Sequence, residues 1–73
     1  MSIEFAVRGD HIQLDQLLKA TGLCESGGAA NTAIAEGMVR VDGTVDTRKR
    51  AKLRPGQVVS FAGEEVRLTS ESA

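Results

Sequence analysis

The apolar residues of this chain follow two different periods, and the order of the periods limits the fold more than any other feature. Residues 3–7 alternate between apolar and polar or small side chains, which predicts a strand with one buried face. From residue 14 to residue 37 the apolar side chains recur at helical spacing, and alternation then returns until Leu68. This order predicts an α+β fold in which two short helices pack on a small, mostly antiparallel, twisted sheet. We expect one domain over residues 1–69 and a disordered polar tail over residues 70–73.

Turn and capping residues indicate where the helices begin and end. The first helix is expected to start between His11 and Leu14, with Asp10 as a possible cap. Ser26 is predicted to open the second helix, and Gly37 to end it. The inner face of the second helix consists mostly of small residues, so that helix can lie close to its neighbour.

The Asp42-Gly43 pair marks a hairpin whose loop length decides the strand register. A two-residue turn would pair Val41 with Thr44, whereas a three-residue loop would pair Val41 with Val45. We predict the three-residue loop, because it keeps the valines on one buried face.

The expected core contains the branched aliphatic residues, Met38 and both phenylalanines. The chain has no Trp and no Tyr. Phe5 and Phe61 fall on the predicted buried faces of strands, so no aromatic side chain is left to stack on bases. Contacts with a nucleic acid would then be made to phosphate, sugar and overall shape, which favours a folded target over a single strand.

Charge is distributed unevenly along the chain. Nine Lys and Arg residues stand against ten Asp and Glu residues, a net charge of −1 that by itself argues against nucleic-acid binding. Residues 40–54, however, carry six basic and two acidic side chains, a net of +4, and the remainder carries a net of −5.

The sequence Asp-Thr-Arg-Lys-Arg-Ala-Lys-Leu-Arg at residues 46–54 concentrates this positive charge. If the segment is extended, alternate side chains share one face at a spacing of about 7 Å, close to the spacing of phosphates along a nucleic-acid strand. The side chains on that face are Arg48, Arg50, Lys52 and Arg54, with Lys49 on the other. The pattern favours nucleic-acid binding. The alternatives are an edge strand that is protected from aggregation by charge, or a surface that docks an acidic protein.

Two glycines follow Ser26 at the predicted start of the second helix. Gly27 and Gly28 would leave backbone amides open to a phosphate at the positive end of the helix dipole. The alternative is that the glycines permit close contact with the first helix and that Ser26 is only a cap.

The sequence offers little for catalysis. His11 and Cys24 are the only residues of their types, and they form no metal site of recognised spacing. We therefore predict a protein that is not an enzyme and that holds no metal and no cofactor. The single Cys and the lack of an apolar run of about 20 residues indicate a cytoplasmic protein that does not cross a membrane.

Several residues of this chain fall into a family spacing. They are Ser26, Ala30, Ile34, Gly37, Val39, Val41, Asp42 and Gly43, in the order Ser…Ala…Ile-x-x-Gly-x-Val-x-Val-Asp-Gly. The pattern resembles the RNA-binding domain named after ribosomal small-subunit protein S four, also called the alpha-L motif. It is most similar to a small, stand-alone bacterial subfamily of YbcJ-like proteins. Shared stretches are Leu-Leu-Lys at 17–19, Glu-Ser-Gly at 25–27, Ala-Ile-Ala-Glu-Gly at 33–37, Thr-Arg-Lys-Arg at 47–50 and Val-Ser-Phe-Ala-Gly at 59–63.

The resemblance implies binding of structured RNA, such as ribosomal or transfer RNA, in association with the ribosome. By position, the implied contact residues are Lys19, Ser26, Gly27, Gly28, Arg40, Arg48, Lys49, Arg50 and Lys52, and the charge pattern adds Arg54. The family often has Arg where this chain has Gly27, and the subfamily favours Lys where it has Asn31. Binding is therefore expected to depend more on residues 48–54. In larger proteins the domain accompanies catalytic modules such as pseudouridine synthases, so catalysis here would need a protein partner.

Overall fold

The computed structural model describes residues 2–71. The elements within them are β1 (Ser2–Val7), β2 (Ile12–Gln13), α1 (Leu14–Ala20), α2 (Gly27–Ala35), β3 (Val39–Val41), β4 (Thr44–Val45), β5 (Lys52–Leu53), β6 (Val58–Phe61) and β7 (Glu64–Ser70). The predicted α+β class is confirmed. Strand β2 is additional to the prediction, because two residues are too few to produce a recognisable alternation.

Five strands form one sheet in the order β1-β7-β6-β3-β4. Only the β1–β7 pair is parallel, with a register that runs from Ser2 opposite Glu65 to Val7 opposite Ser70. The other three pairs are antiparallel, as predicted. Strands β2 and β5 pair separately, and Ile12 lies opposite Leu53.

The core lies between the two helices and one face of the five-stranded sheet. Its largest fully buried side chains are Leu14, Leu17, Leu18, Ile34, Leu53, Leu68, Val7, Val39, Val59 and Val66. Phe5 and Phe61 pack against this core and are partly buried, as expected. Met38 is 53% exposed, so its predicted place in the core is wrong. It lies in the link between α2 and β3, outside both periodic patterns.

The two helices begin with different capping arrangements. The prediction that Asp10 caps α1 is wrong, since the N-cap is Gln13 and no side chain caps the helix. Instead the Leu14 N–H donates to the Ala51 carbonyl (3.0 Å) and the Asp15 N–H to the Lys49 carbonyl (3.0 Å). These backbone acceptors satisfy amides that a side chain would otherwise have to satisfy.

Helix α2 follows the prediction at both ends. The Ser26 Oγ accepts a hydrogen bond from the Ala29 N–H (3.1 Å), which confirms Ser26 as the N-cap. Gly37 follows the helix with φ of +76°, a conformation that favours glycine and ends the helix.

The β3–β4 hairpin has a two-residue turn, so the predicted three-residue loop is wrong. Val41 lies opposite Thr44, and Val45 lies opposite Arg40 on the outer face of the sheet, where Val45 is 46% exposed. Asp42 and Gly43 both have positive φ, +52° and +84°, as a type I′ turn requires. The Asp42 carboxylate also accepts from the Val58 N–H (3.0 Å), which fixes this turn against β6. The preference of Asp-Gly for a type I′ turn therefore decides the register, although this register leaves Val45 exposed.

The predicted disordered tail, residues 70–73, begins inside the last strand. Strand β7 includes Ser70, and the Glu71 N–H donates to the Val7 carbonyl (3.2 Å). Residues 72 and 73 lie outside the described residues.

Candidate nucleic-acid interface

Residues 48–54, here named the basic loop, do not form the continuous extended segment that the alternation predicted. The Ala51 N–H donates to the Arg48 carbonyl (3.1 Å), so the chain turns at residues 49 and 50, and only Lys52–Leu53 is a strand. The predicted single row of cations is therefore wrong for the first half of the loop. The turn accompanies two hydrogen bonds, in which the carbonyls of Lys49 and Ala51 accept from the first N–H groups of α1.

Two apolar side chains attach the basic loop to the core. Ala51 and Leu53 are buried, and Leu53 is only 1% exposed. Strand β5 pairs with β2 directly before α1, so the loop lies at the N-terminal end of that helix. The loop backbone is thus held by packing and by hydrogen bonds, whereas its five charged side chains are exposed.

Four of the five cations have no anionic partner. Within residues 2–71, no ion pair or side-chain hydrogen bond involves the charged groups of Lys49, Arg50, Lys52 or Arg54. Like charges at this density repel one another. The arrangement therefore favours an external anion.

Arg48 is the exception, because it is bound to Asp46. The Arg48 Nε donates to Asp46 Oδ1 (3.1 Å) and Nη2 donates to Oδ2 (3.0 Å), while the Arg48 backbone N–H also donates to Oδ1 (2.9 Å). The Asp46 side chain is 13% exposed and that of Arg48 is 79% exposed. These hydrogen bonds hold the pKa of Asp46 below its ordinary value and raise the pKa of Arg48.

The lowered pKa of Asp46 predicts how its contribution depends on pH. A carboxylate whose pKa is lowered in the folded state stabilises the fold at pH values above the ordinary pKa of that group. This stabilisation is lost as the pH falls through the lowered pKa. Asp46→Asn is expected to cause a small decrease in the free energy of unfolding at pH 7, and the difference from wild type should shrink below pH 3.8. Urea denaturation at pH 7, 5 and 3 measures this. Asp10→Asn is the control, since the Asp10 carboxylate has no partner in the described residues; a difference for Asp46→Asn that is the same at all three pH values would contradict the argument.

Two shallow grooves border the basic loop. The first has a volume of about 400 Å³ and lies between the β3–β4 hairpin and the loop. Its lining residues are Val41, Asp42, Thr44, Val45, Asp46, Thr47, Arg48, Ala51, Lys52, Leu53 and Gln57. The second, of about 460 Å³, is lined by Arg48, Arg50, Ala51 and Lys52. Arg48 and Lys52 therefore line both grooves.

The other predicted contact residues do not line these grooves. Lys19 is exposed in the last turn of α1, and Arg40 is exposed on the outer face of the sheet beside Val45. Neither groove is lined by these residues or by Ser26, Gly27 or Gly28.

The two glycines of α2 are not explained by packing. A Cβ at Gly27 would meet no atom within 4 Å, and a Cβ at Gly28 would meet only the Ser26 Oγ, at 3.9 Å. Close contact with α1 therefore does not require them. In the described part of the chain, the N–H groups of Gly27 and Gly28 make no hydrogen bond, so both are available to an anion.

Sequence reasoning missed the polar residues that complete the first groove. Gln57 donates through Nε2 to Asp42 Oδ2 (3.2 Å) and accepts through Oε1 from the Arg54 N–H (2.7 Å), which connects the hairpin turn to the end of the basic loop. No sequence motif marks Gln57. The Asp-x-Arg spacing at residues 46–48 permits the ion pair, since one carboxylate can reach a backbone N–H and a guanidinium two residues later, but the spacing alone does not show that the pair forms.

The two residues considered for catalysis, His11 and Cys24, lie outside the basic loop. His11 is exposed, whereas Cys24 is buried and its pKa is raised by that burial. Among residues 2–71 there is no group of three His, Cys, Asp or Glu side chains that could hold a metal ion. The same residues include no helix with the length and apolar character needed to cross a membrane.

Comparison with known proteins agrees with the fold. The family model described as S4 domain matches residues 5–69, nearly the whole chain. The chain belongs to the S4 domain family. The match includes α1, α2 and the basic loop, so all the candidate contact residues of this S4 domain lie within it.

The relatives include small and large proteins. YbcJ of Escherichia coli (strain K12) is 55% identical over 60 residues, which cover 82% of this chain and 86% of YbcJ. The tyrosine–tRNA ligase of Ralstonia nicotianae is 39% identical over 61 residues, which cover 84% of this chain but only 16% of the ligase. The solution structure of YbcJ from E. coli, described as revealing an alfaL motif involved in RNA-binding, matches with a TM-score of 0.66 and 46% identity. That match covers 94% of this chain and 86% of the YbcJ chain.

Proposed function

We propose that this S4 domain protein is a non-catalytic RNA-binding protein that recognises structured RNA through the basic loop. The observation that carries the proposal is that four unpaired, exposed cations stand on a backbone fixed to the core. Because that backbone is already ordered, binding a phosphate chain costs little further backbone entropy, and the remaining cost is that of ordering the Lys and Arg side chains. The description of YbcJ as having a motif involved in RNA-binding supports the proposal.

Structured RNA fits this surface better than an unpaired strand does. Phe5 and Phe61 pack against the core, and no aromatic side chain remains for stacking. We therefore assign the basic loop, the first groove and the free amides of Gly27 and Gly28 to phosphate and sugar contacts. Lys19 would extend this contact along α1, and Arg40 would meet only RNA that reaches past β4 onto the outer face.

Ribosomal or transfer RNA in the bacterial cytoplasm is the target class that we favour. The similarity of most of this chain to 16% of the length of a tyrosine–tRNA ligase supports this choice, because the name of that relative includes transfer RNA. A protein partner would then supply any catalysis.

The salt dependence of RNA binding tests the proposal. Four to six phosphate contacts are expected to give a slope of about −3 to −5 in a plot of log K against log salt concentration. Purified transfer RNA and ribosomal RNA are the probes, with polyuridine as the single-stranded control and duplex DNA as the control for the 2′-hydroxyl group. A slope near zero, or equal affinity for polyuridine, would contradict the proposal. Binding to an acidic protein that survives nuclease treatment would instead favour a protein-docking surface.

A further inference from the structure

Arg48 differs from the other cations of the basic loop in having a fixed orientation. Its Nε and Nη2 atoms donate to the two oxygens of Asp46, at 3.1 Å and 3.0 Å. The same carboxylate accepts from the Arg48 backbone N–H, so both ends of the residue are held by one group. Asp46 is itself largely buried, which limits its movement.

This pairing uses one edge of a planar group that has five N–H donors. The adjacent edge, formed by Nη1 and the second hydrogen of Nη2, keeps two parallel N–H groups, and the Arg48 side chain is 79% exposed. Such a fork matches two acceptors that lie side by side, as in a phosphate or in the O6 and N7 atoms of guanine.

Charge distinguishes these two ligands. Asp46 and Arg48 together are neutral, and a phosphate on the free edge of Arg48 would be repelled by the Asp46 carboxylate. Guanine offers the same two acceptors without a formal charge. The unpaired side chains of Lys49, Arg50, Lys52 and Arg54 are better suited to phosphates, because no carboxylate offsets their charge.

We propose that Arg48 reads a guanine base by donating from Nη1 and Nη2 to O6 and N7, and that Asp46 is its positioning residue. This inference rests on the proposed RNA-binding function and adds a base-specific contact to it. The guanine must lie in a loop, a bulge or a widened groove, because the major groove of a regular RNA helix is too narrow for side chains. Arg48 borders both grooves of the interface, so an unpaired base can approach it from either one.

A selection experiment tests this inference. Hairpin RNAs with a randomised loop are selected with the wild-type protein, with Arg48→Ala and with Arg67→Ala. Both variants lose one positive charge, but only Arg48→Ala loses the fork, since Arg67 is exposed outside the basic loop and lines neither groove. Wild type and Arg67→Ala are expected to enrich guanine at one position, and Arg48→Ala is expected to bind RNA without that enrichment. Replacing the selected guanine by 7-deazaguanine should weaken wild-type binding about 5-fold or more and leave Arg48→Ala unchanged.

Asp46→Asn separates positioning from a merely structural role. The variant is expected to lose much of the guanine preference while its affinity for a guanine-free loop stays the same or rises, because a negative charge has been removed. A structural role alone would lower both affinities together. Guanine enrichment that is unchanged in Asp46→Asn would overturn the role of Asp46.

Other results of the selection would overturn either this inference alone or the proposed function as well. Tight RNA binding by wild type without base enrichment, or enrichment that persists in Arg48→Ala, would overturn the inference and leave the proposed function intact. Failure of the wild-type protein to capture any RNA would overturn the proposed function, and this inference with it.

Discussion

Replacing Arg50 and Lys52 together with Gln is expected to weaken RNA binding about 15- to 30-fold at 0.15 M monovalent salt. Both side chains are exposed and unpaired in the described residues, so each is free to contact one phosphate. Each lost contact should reduce the slope of log K against log salt by about 0.7 to 0.9, and the loss of affinity follows from that slope. Filter binding or fluorescence anisotropy across a salt series measures both quantities.

A variant with the same change in charge provides the control. Arg8 and Arg67 are exposed basic residues outside the basic loop, and neither lines the two grooves. Their replacement by Gln removes two positive charges and should reduce affinity by no more than a few-fold. Equal losses for the two double variants would mean that net charge attracts the RNA and that the basic loop has no special role.

Leu53→Ala is expected to lower the free energy of unfolding by about 2–5 kcal/mol, a large share of the total stability of this small protein. Leu53 is 1% exposed and belongs to the core, so the change leaves a cavity. A domain of this size has a total stability of only about 4–11 kcal/mol. Met38→Ala is the control, because Met38 is 53% exposed and should cost less than about 0.5 kcal/mol. Urea denaturation of both variants measures the difference.

Leu53 also holds the basic loop in place, and hydrogen exchange can test this role separately. The amides of Leu14 and Asp15 donate to the carbonyls of Ala51 and Lys49. At a temperature where Leu53→Ala is still folded, these two amides should exchange faster than the other amides of α1. Protection that falls equally across α1 would indicate global destabilisation and would contradict a local anchoring role.

The fold class could be predicted because apolar periodicity reports directly on which face of each element is buried. The long elements β1, α1, α2 and β7 all show a clear period. Details that depend on residues distant in the sequence could not be predicted. The cap of α1, for example, comes from carbonyls about 35 residues later, at Lys49 and Ala51.

The sequence predicted which residues form the candidate site, but it predicted only part of their arrangement in space. The charge pattern identified the cations of the basic loop, all of which are exposed. Alternation suggested one row of these cations, but the chain turns at residues 49 and 50 and the row is interrupted. With this turn, carbonyls of the loop accept hydrogen bonds from the first amides of α1. The pairing of Asp46 with Arg48 depends on side-chain rotamers, which a sequence pattern does not report.

The parallel pairing of β1 with β7 has a consequence for synthesis of the protein. Strand β7 lies between β1 and β6, so residues 64–70, which are translated after the other four strands of the sheet, occupy an interior position in it. Until they leave the ribosome, β1 has no neighbour and β6 lacks one of its two neighbours. Strand β1 and one edge of β6 therefore stay unpaired until β7 has been synthesised. This delay slows folding and leaves those strand edges exposed to other chains. The five-stranded sheet therefore cannot be completed until residues 64–70 have been translated.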